Sequence, residues 1–135
     1  MITLNKMAFI VLVGFEPMKP EELRDLALTA LDDLKGIDIV TMDVRSLTTI
    51  TDYMIICTGR STRHVKALAD SVAIEAKEMK ARFVRTEGDK ENDWVLVDLG
   101  DVVVHVMLAS TRAFYSLEDL WEPIKELREH KTTGP

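Results

Sequence analysis

The sequence predicts an α/β chain of the α+β kind: one domain, with a mixed sheet of about five strands and helices mainly on one face, in the order αββαβββα. Three observations carry this expectation. Residues 20–34 and 62–79 repeat apolar side chains at helical spacing. Short apolar runs, some alternating and some continuous, lie between and after them as strands do. The length of 135 residues at 47% hydrophobic content suits one real core and is too short for two ordinary ones.

Residues 1–17 stand apart. Met7 to Phe15, MAFIVLVGF, is apolar but too short to span a bilayer, and it lacks the strongly basic leader and small-residue cleavage site of a signal peptide. The stretch breaks at Pro17 and Pro20. Met18 is therefore the expected natural start, with 1–17 a non-core extension, 18–128 the domain and 129–135 a flexible tail. From Pro20, which suits a first helical turn, Leu23, Leu26, Ala27, Ala30, Leu31 and Leu34 share one helix face, and Gly36 suits the C-terminal stop. Ile37 to Val44 reads as a strand and Ser46 to Thr51 as a loop. Tyr53 to Thr58, apolar on both faces, reads as a central strand.

A second amphipathic helix follows Gly59, with Ser61 or Thr62 as cap and Val65, Leu68, Ala69, Val72, Ala73, Ala76 and Met79 aligned. Phe83 to Glu87 reads as a short strand and Gly88 to Asn92 as a polar turn. Asp93 to Leu108, DWVLVDLGDVVVHVML, reads as a hairpin turning at Gly100 and Asp101. A two-residue loop sets Leu99 opposite Val102, Val97 opposite Val104 and Val95 opposite Val106, a purely aliphatic face. The other face pairs Asp98 with Val103, Leu96 with His105 and Trp94 with Met107. That mixed face is either covered by a helix with its polar pair satisfied internally, or turned outward to a partner. Ser110 or Thr111 is the expected cap of a short helix through Tyr115, and Leu117 to Leu127 a last helical piece interrupted at Pro123.

Composition excludes several classes. A formal net charge of −6 and a pI near 5.1 disfavour broad contact with phosphate backbones and suit a basic protein partner. The single cysteine, Cys57, lies in an apolar run and offers neither a disulfide framework nor a cysteine metal site, so a cytoplasmic setting is expected. Around Gly59, the side chains of Arg60, Arg63 and His64 are candidates for an anion or secondary contact at a helix start, although the glycine spacing of a phosphate-binding loop is missing and a structural turn explains the stretch as well. Asp38 and Asp43, at odd spacing, project from opposite faces of a regular strand, which argues against a joint metal site with Asp52. The histidines His64, His105 and His130 show no ligand spacing. The aromatics of RAFYSLEDLW, 112–121, read as anchors of a terminal helix on its own core, and Arg112 with Glu118 as a local ion pair.

Four blocks, DLKGIDIVTMDV, TDYMIICTGRSTRHVKALADSV, EGDKENDWVLVDLGDVVVHVM and TRAFYSLEDLW, resemble in order and spacing the ribosomal silencing factor family, also called Iojap, from about Met18 to Trp121. The resemblance implies a domain with nucleotidyltransferase-like topology that is not an enzyme and uses no cofactor or metal: where a nucleotidyltransferase carries two aspartates after its Gly-Ser turn, this chain has Arg63 and His64. It implies binding to the large ribosomal subunit through its fourteenth protein, a steric block to joining of the small subunit, and repression of translation when nutrients are scarce. A homodimer is also implied, whereas membrane association and sequence-specific nucleic-acid binding are not. Joined to this resemblance, the mixed hairpin face becomes the expected partner surface: Trp94, Leu96, Asp98, Asp101, Val103, His105 and Met107. Two other classes compete, a divergent nucleotidyltransferase using Asp38, Asp43 or Asp52, and an RNA-binding ribosome-assembly module using Arg60, Arg63, His64 and Lys66.

Overall fold

The computed structural model describes residues 18–88 and 90–120; expectations for 1–17, for 129–135 and for the helix beyond Leu120 fall outside these. Helix α1 spans Pro20–Asp33, strand β1 Ile37–Asp43, β2 Tyr53–Gly59, α2 Thr62–Glu78, β3 Arg85–Gly88, β4 Trp94–Asp98, β5 Val102–Leu108 and α3 Ala109–Tyr115, followed by a 3₁₀ turn at Leu117–Leu120. The strands form one sheet in the order β1-β2-β5-β4-β3, with β2 and β5 parallel and the other pairs antiparallel. The element order and mixed sheet agree with the sequence reading, including β2 as an interior strand. No helix among the described residues is long and apolar enough to cross a membrane.

The hairpin takes the register its aliphatic alternation requires: Val97 pairs with Val104 and Val95 with Val106 on one face, Trp94 with Met107, Leu96 with His105 and Asp98 with Val103 on the other. Gly100 holds φ at +82°, which a side chain would strain, and Leu99 N–H donates to Val102 O at 2.8 Å to close the loop. The aliphatic face joins Ile55 and Cys57 of β2 beneath α1 and α2. Leu23, Ala27 and Leu31 from α1 and Val65, Leu68 and Val72 from α2 complete the core, all buried. Removing this branched aliphatic area from water is the main stabilising contribution. Cys57 lies inside it, and burial pushes its thiol up to about 11, so it is an inert core residue.

Both long helices end in the same way, and not as expected for the first. Lys35 N–H donates to Asp32 O at 2.9 Å and Gly36 N–H to Leu31 O at 2.8 Å, while Lys80 and Ala81 repeat the pattern to Lys77 O and Ala76 O. These are paired C-terminal bonds in which the left-handed residue is a lysine, at φ 60° and 58°. Gly36 is needed for a different reason: a β-carbon there would lie 2.5 Å from Cys57 Sγ.

Four local expectations are corrected. β1 carries a register shift between Ile37 and Val40, with Asp38 at φ 48°, so parity arguments about Asp38 and Asp43 fail across that irregularity. β3 begins at Arg85, leaving Phe83 exposed before it. Helix α3 starts directly after β5, with Leu108 at its N-cap position and no side-chain cap; Ser110 and Thr111 fall inside the first turn. The 3₁₀ turn stands where a helical piece from Leu117 was expected.

Candidate functional site

The sheet face opposite α1 and α2 is built by alternation. β4 contributes Trp94, Leu96 and Asp98, β5 contributes Val103, His105 and Met107, and β2 contributes Met54, Ile56 and Thr58. Trp94, Leu96, Asp98 and Val103 are half-buried and Asp101, at the hairpin tip, is exposed. Five of the seven residues expected to meet a partner therefore reach the surface together. His105 and Met107 do not: they are 8% and 0% exposed. The reason is that β5 is the middle strand and α3 folds back across this end of the sheet, which sequence alternation alone does not reveal.

The indole of Trp94 is held from two sides. Its Nε1–H donates to His105 Nδ1 at 3.0 Å, and its ring lies 4.9 Å from that of Tyr115, tilted by 49°. Because Nδ1 accepts, a neutral His105 carries its proton on Nε2. Burial favours that neutral form and lowers the imidazole to about 4. The side chain of Asp98 has a local task as well, its Oδ1 accepting Gly100 N–H at 2.8 Å, while the main-chain oxygen of Asp101 accepts from Asp52 N–H and Tyr53 N–H. The acidic rim is thus fixed to the turn that carries it.

Arg112 is more than the surface ion pair expected. Its Nε donates to Glu118 Oε1 at 2.6 Å, and its Nη1 donates to Asp38 O at 2.6 Å and to Thr58 Oγ1 at 2.9 Å. The side chains of Arg112 and Glu118 are only 13% and 25% exposed. One guanidinium thus ties α3 to the irregularity of β1, to β2 and to the 3₁₀ turn, and so seats Tyr115 against Trp94. The aromatic block was expected to be core. Instead Phe114 is 81% and Tyr115 51% exposed, their rings edge to face at 5.0 Å, beside a groove bounded by Asp93, Trp94, Ser110 and Thr111. Adjacent helical positions point about 100° apart, so a two-turn helix does not bury both; that signal was present in the sequence.

Of the Arg60, Arg63 and His64 group, it is His64 that serves the fold. His64 Nδ1 accepts Arg60 N–H at 2.9 Å, its Nε2 lies 2.8 Å from Leu34 O, and Ser61 Oγ accepts His64 N–H at 3.1 Å. The imidazole thereby joins the start of α2 to the end of α1, while the side chains of Arg60 and Arg63 stay exposed. Gly59 brings α2 close to β2: a β-carbon there would lie 2.7 Å from Val65 Cγ2. Among the acids, Asp43 is engaged by Arg45 at 2.6 Å, which holds its carboxyl below the usual range. Among the described residues no group of three or more His, Cys, Asp or Glu is placed to hold a metal ion.

By fold and surface, this is a small α+β domain with one sheet face closed by two helices and the other presenting an aromatic-centred patch with an acidic rim. The family model described as ribosomal silencing factor during starvation matches residues 17–134, and the chain belongs to that family. A Chromobacterium violaceum protein named ribosomal silencing factor RsfS is 49% identical over 104 residues, 77% of this chain and 85% of the relative. A crystal structure from the same organism superposes with a TM-score of 0.75 at 47% identity, covering 78% of this chain and 88% of that one. More distantly, a mouse protein named mitochondrial assembly of ribosomal large subunit protein 1 is 37% identical over 100 residues, 72% of this chain and 44% of its own length.

Proposed function

We propose that this protein silences ribosomes in the cytoplasm by obstruction, docking on the large subunit through its fourteenth protein and occupying space the small subunit needs, without catalysing a reaction. Family membership supports the ribosomal role, and the name of the mouse relative associates that protein with the large subunit. The observation that carries the docking surface is the half-buried Trp94, oriented by its own chain and surrounded by Leu96, Val103, Asp98 and Asp101. An indole among aliphatics with acids at the edge has the composition of an interface centre and rim, and it suits a basic partner. Interfaces of this type bury on the order of 1,200 to 2,000 Å² in total.

The test is cosedimentation with purified large subunits, followed by a subunit-joining assay. Trp94→Ala is expected to weaken binding by about thirty-fold to several hundred-fold, on the order of 2 to 4 kcal/mol, with the fold intact and joining restored. Val104→Ala, on the helix-covered face, is expected instead to cost about 2 kcal/mol of stability and leave the affinity of the folded protein unchanged. Wild-type binding by Trp94→Ala rejects this surface.

A further inference from the structure

We infer that His105 is a positioning residue for the docking surface: buried beside Trp94 on the same sheet face, His105 accepts the indole N–H of Trp94 and so fixes the orientation in which that ring meets a partner. The inference rests on the docking role proposed for Trp94 and adds the residue that sets its geometry.

The register places His105 directly across from Leu96 and diagonally from Trp94, so one imidazole stands beside two residues of the surface. The 3.0 Å bond runs from Nε1 of the indole to Nδ1 of the imidazole, and the two rings sit 5.7 Å apart at 49°, beside each other and not stacked. A half-buried indole with a free N–H would rotate about its side-chain torsions to find a water or a carbonyl. With the N–H directed at the imidazole, those rotations forfeit a hydrogen bond, and Tyr115 blocks part of the remaining space. The partner therefore meets an indole whose one N–H is already engaged. Holding that ring before contact removes an ordering cost that binding would otherwise meet.

This role explains why a polar residue occupies an almost fully buried position in the middle strand. A buried imidazole without partners is unfavourable, whereas one accepting a hydrogen bond in its neutral form is tolerated. An aliphatic residue of similar size would pack as well but would release the indole.

The first measurement needs no substitution. In nitrogen-15-labelled full-length protein, the indole N–H resonance that Trp94→Phe removes should exchange slowly with solvent, and His105 should be the Nε2–H tautomer. A rapidly exchanging indole proton or the Nδ1–H tautomer overturns the inference. The second uses purified large subunits. His105→Leu, which keeps volume and removes the acceptor, should weaken binding about ten-fold, whereas His105→Asn, whose amide oxygen can take the place of Nδ1, should stay within about three-fold of wild type. In a Trp94→Ala background, His105→Leu should cause no further loss. Wild-type affinity in a folded His105→Leu variant, with Trp94→Ala still impaired, sinks the positioning role alone; wild-type affinity in Trp94→Ala removes the docking surface itself. Should the leucine variant not fold, the tautomer and exchange measurements decide the question.

Discussion

His105 carries a thermodynamic signature as well as a geometric one. Its imidazole is lowered to about 4 from an ordinary 6.5 by burial, so between those values the unfolded chain binds a proton that the folded chain refuses. Stability should be complete above pH 6.5, decline as pH falls toward about 4, and then stop changing on this account; the full loss is on the order of 3 kcal/mol at most. Urea unfolding at pH 7.5, 5.5 and 4.5 reads this out, and His105→Asn should flatten the decline. Asp43 acts in a lower window, because Arg45 depresses its carboxyl below the usual 3.8 and its contribution fades only as pH drops through that depressed value. An unchanged slope in the asparagine variant would assign the pH dependence to other groups. At this scale the sequence was half legible: alternation along β4 found Trp94, Leu96 and Asp98, but nothing in it distinguished the half-buried Val103 from its buried strand-mates His105 and Met107. That distinction depends on which strand is central and on what folds back over it.

Among elements, α3 depends most on a single side chain. With no buried residue and two exposed aromatics, seven residues do not make a self-supporting helix; the three acceptors around Arg112 hold it in place. Arg112→Ala should lower stability by about 2 to 3 kcal/mol, because Glu118 and the Asp38 carbonyl lose a poorly hydrated partner together. Arg112→Lys should recover little, since one ammonium does not reproduce the planar fork. Chemical denaturation gives the stability, and the fluorescence of Trp94 in a Trp121→Phe background reports whether Tyr115 has left the indole. The long helices and the hairpin were readable because their signals are local: apolar spacing, a serine at position 61 that does cap α2, and a Gly-Asp pair at 100 and 101 that does turn the hairpin. Of the acceptors around Arg112 only Glu118 was readable, as a local pair; those at positions 38 and 58 meet it only in three dimensions.

For the whole molecule, the two faces of the sheet divide the labour. One is filled by branched aliphatics under helices and sets stability; the other presents a modest aromatic-aliphatic patch on a body of net charge −6. If apolar contact at Trp94 dominates docking, affinity for large subunits should fall only shallowly as salt rises from 50 to 200 mM, by roughly ten-fold or less, compared with the roughly thousand-fold or greater loss of a protein held by many phosphate contacts. A steep loss would instead favour contact with ribosomal RNA through Arg60, Arg63 and Lys66. Domain class and element order were accessible from composition and periodicity, since one core of this size needs helices laid over a sheet.

The parallel pairing of β2 with β5 has a consequence in time. Tyr53 finds its strand partner in β5 only at Val102, so during synthesis the middle of the sheet waits for the last of the five strands to emerge, with one flank of β2 unmatched until then. A nascent chain stopped short of Leu108 has no finished sheet and no assembled Trp94 surface.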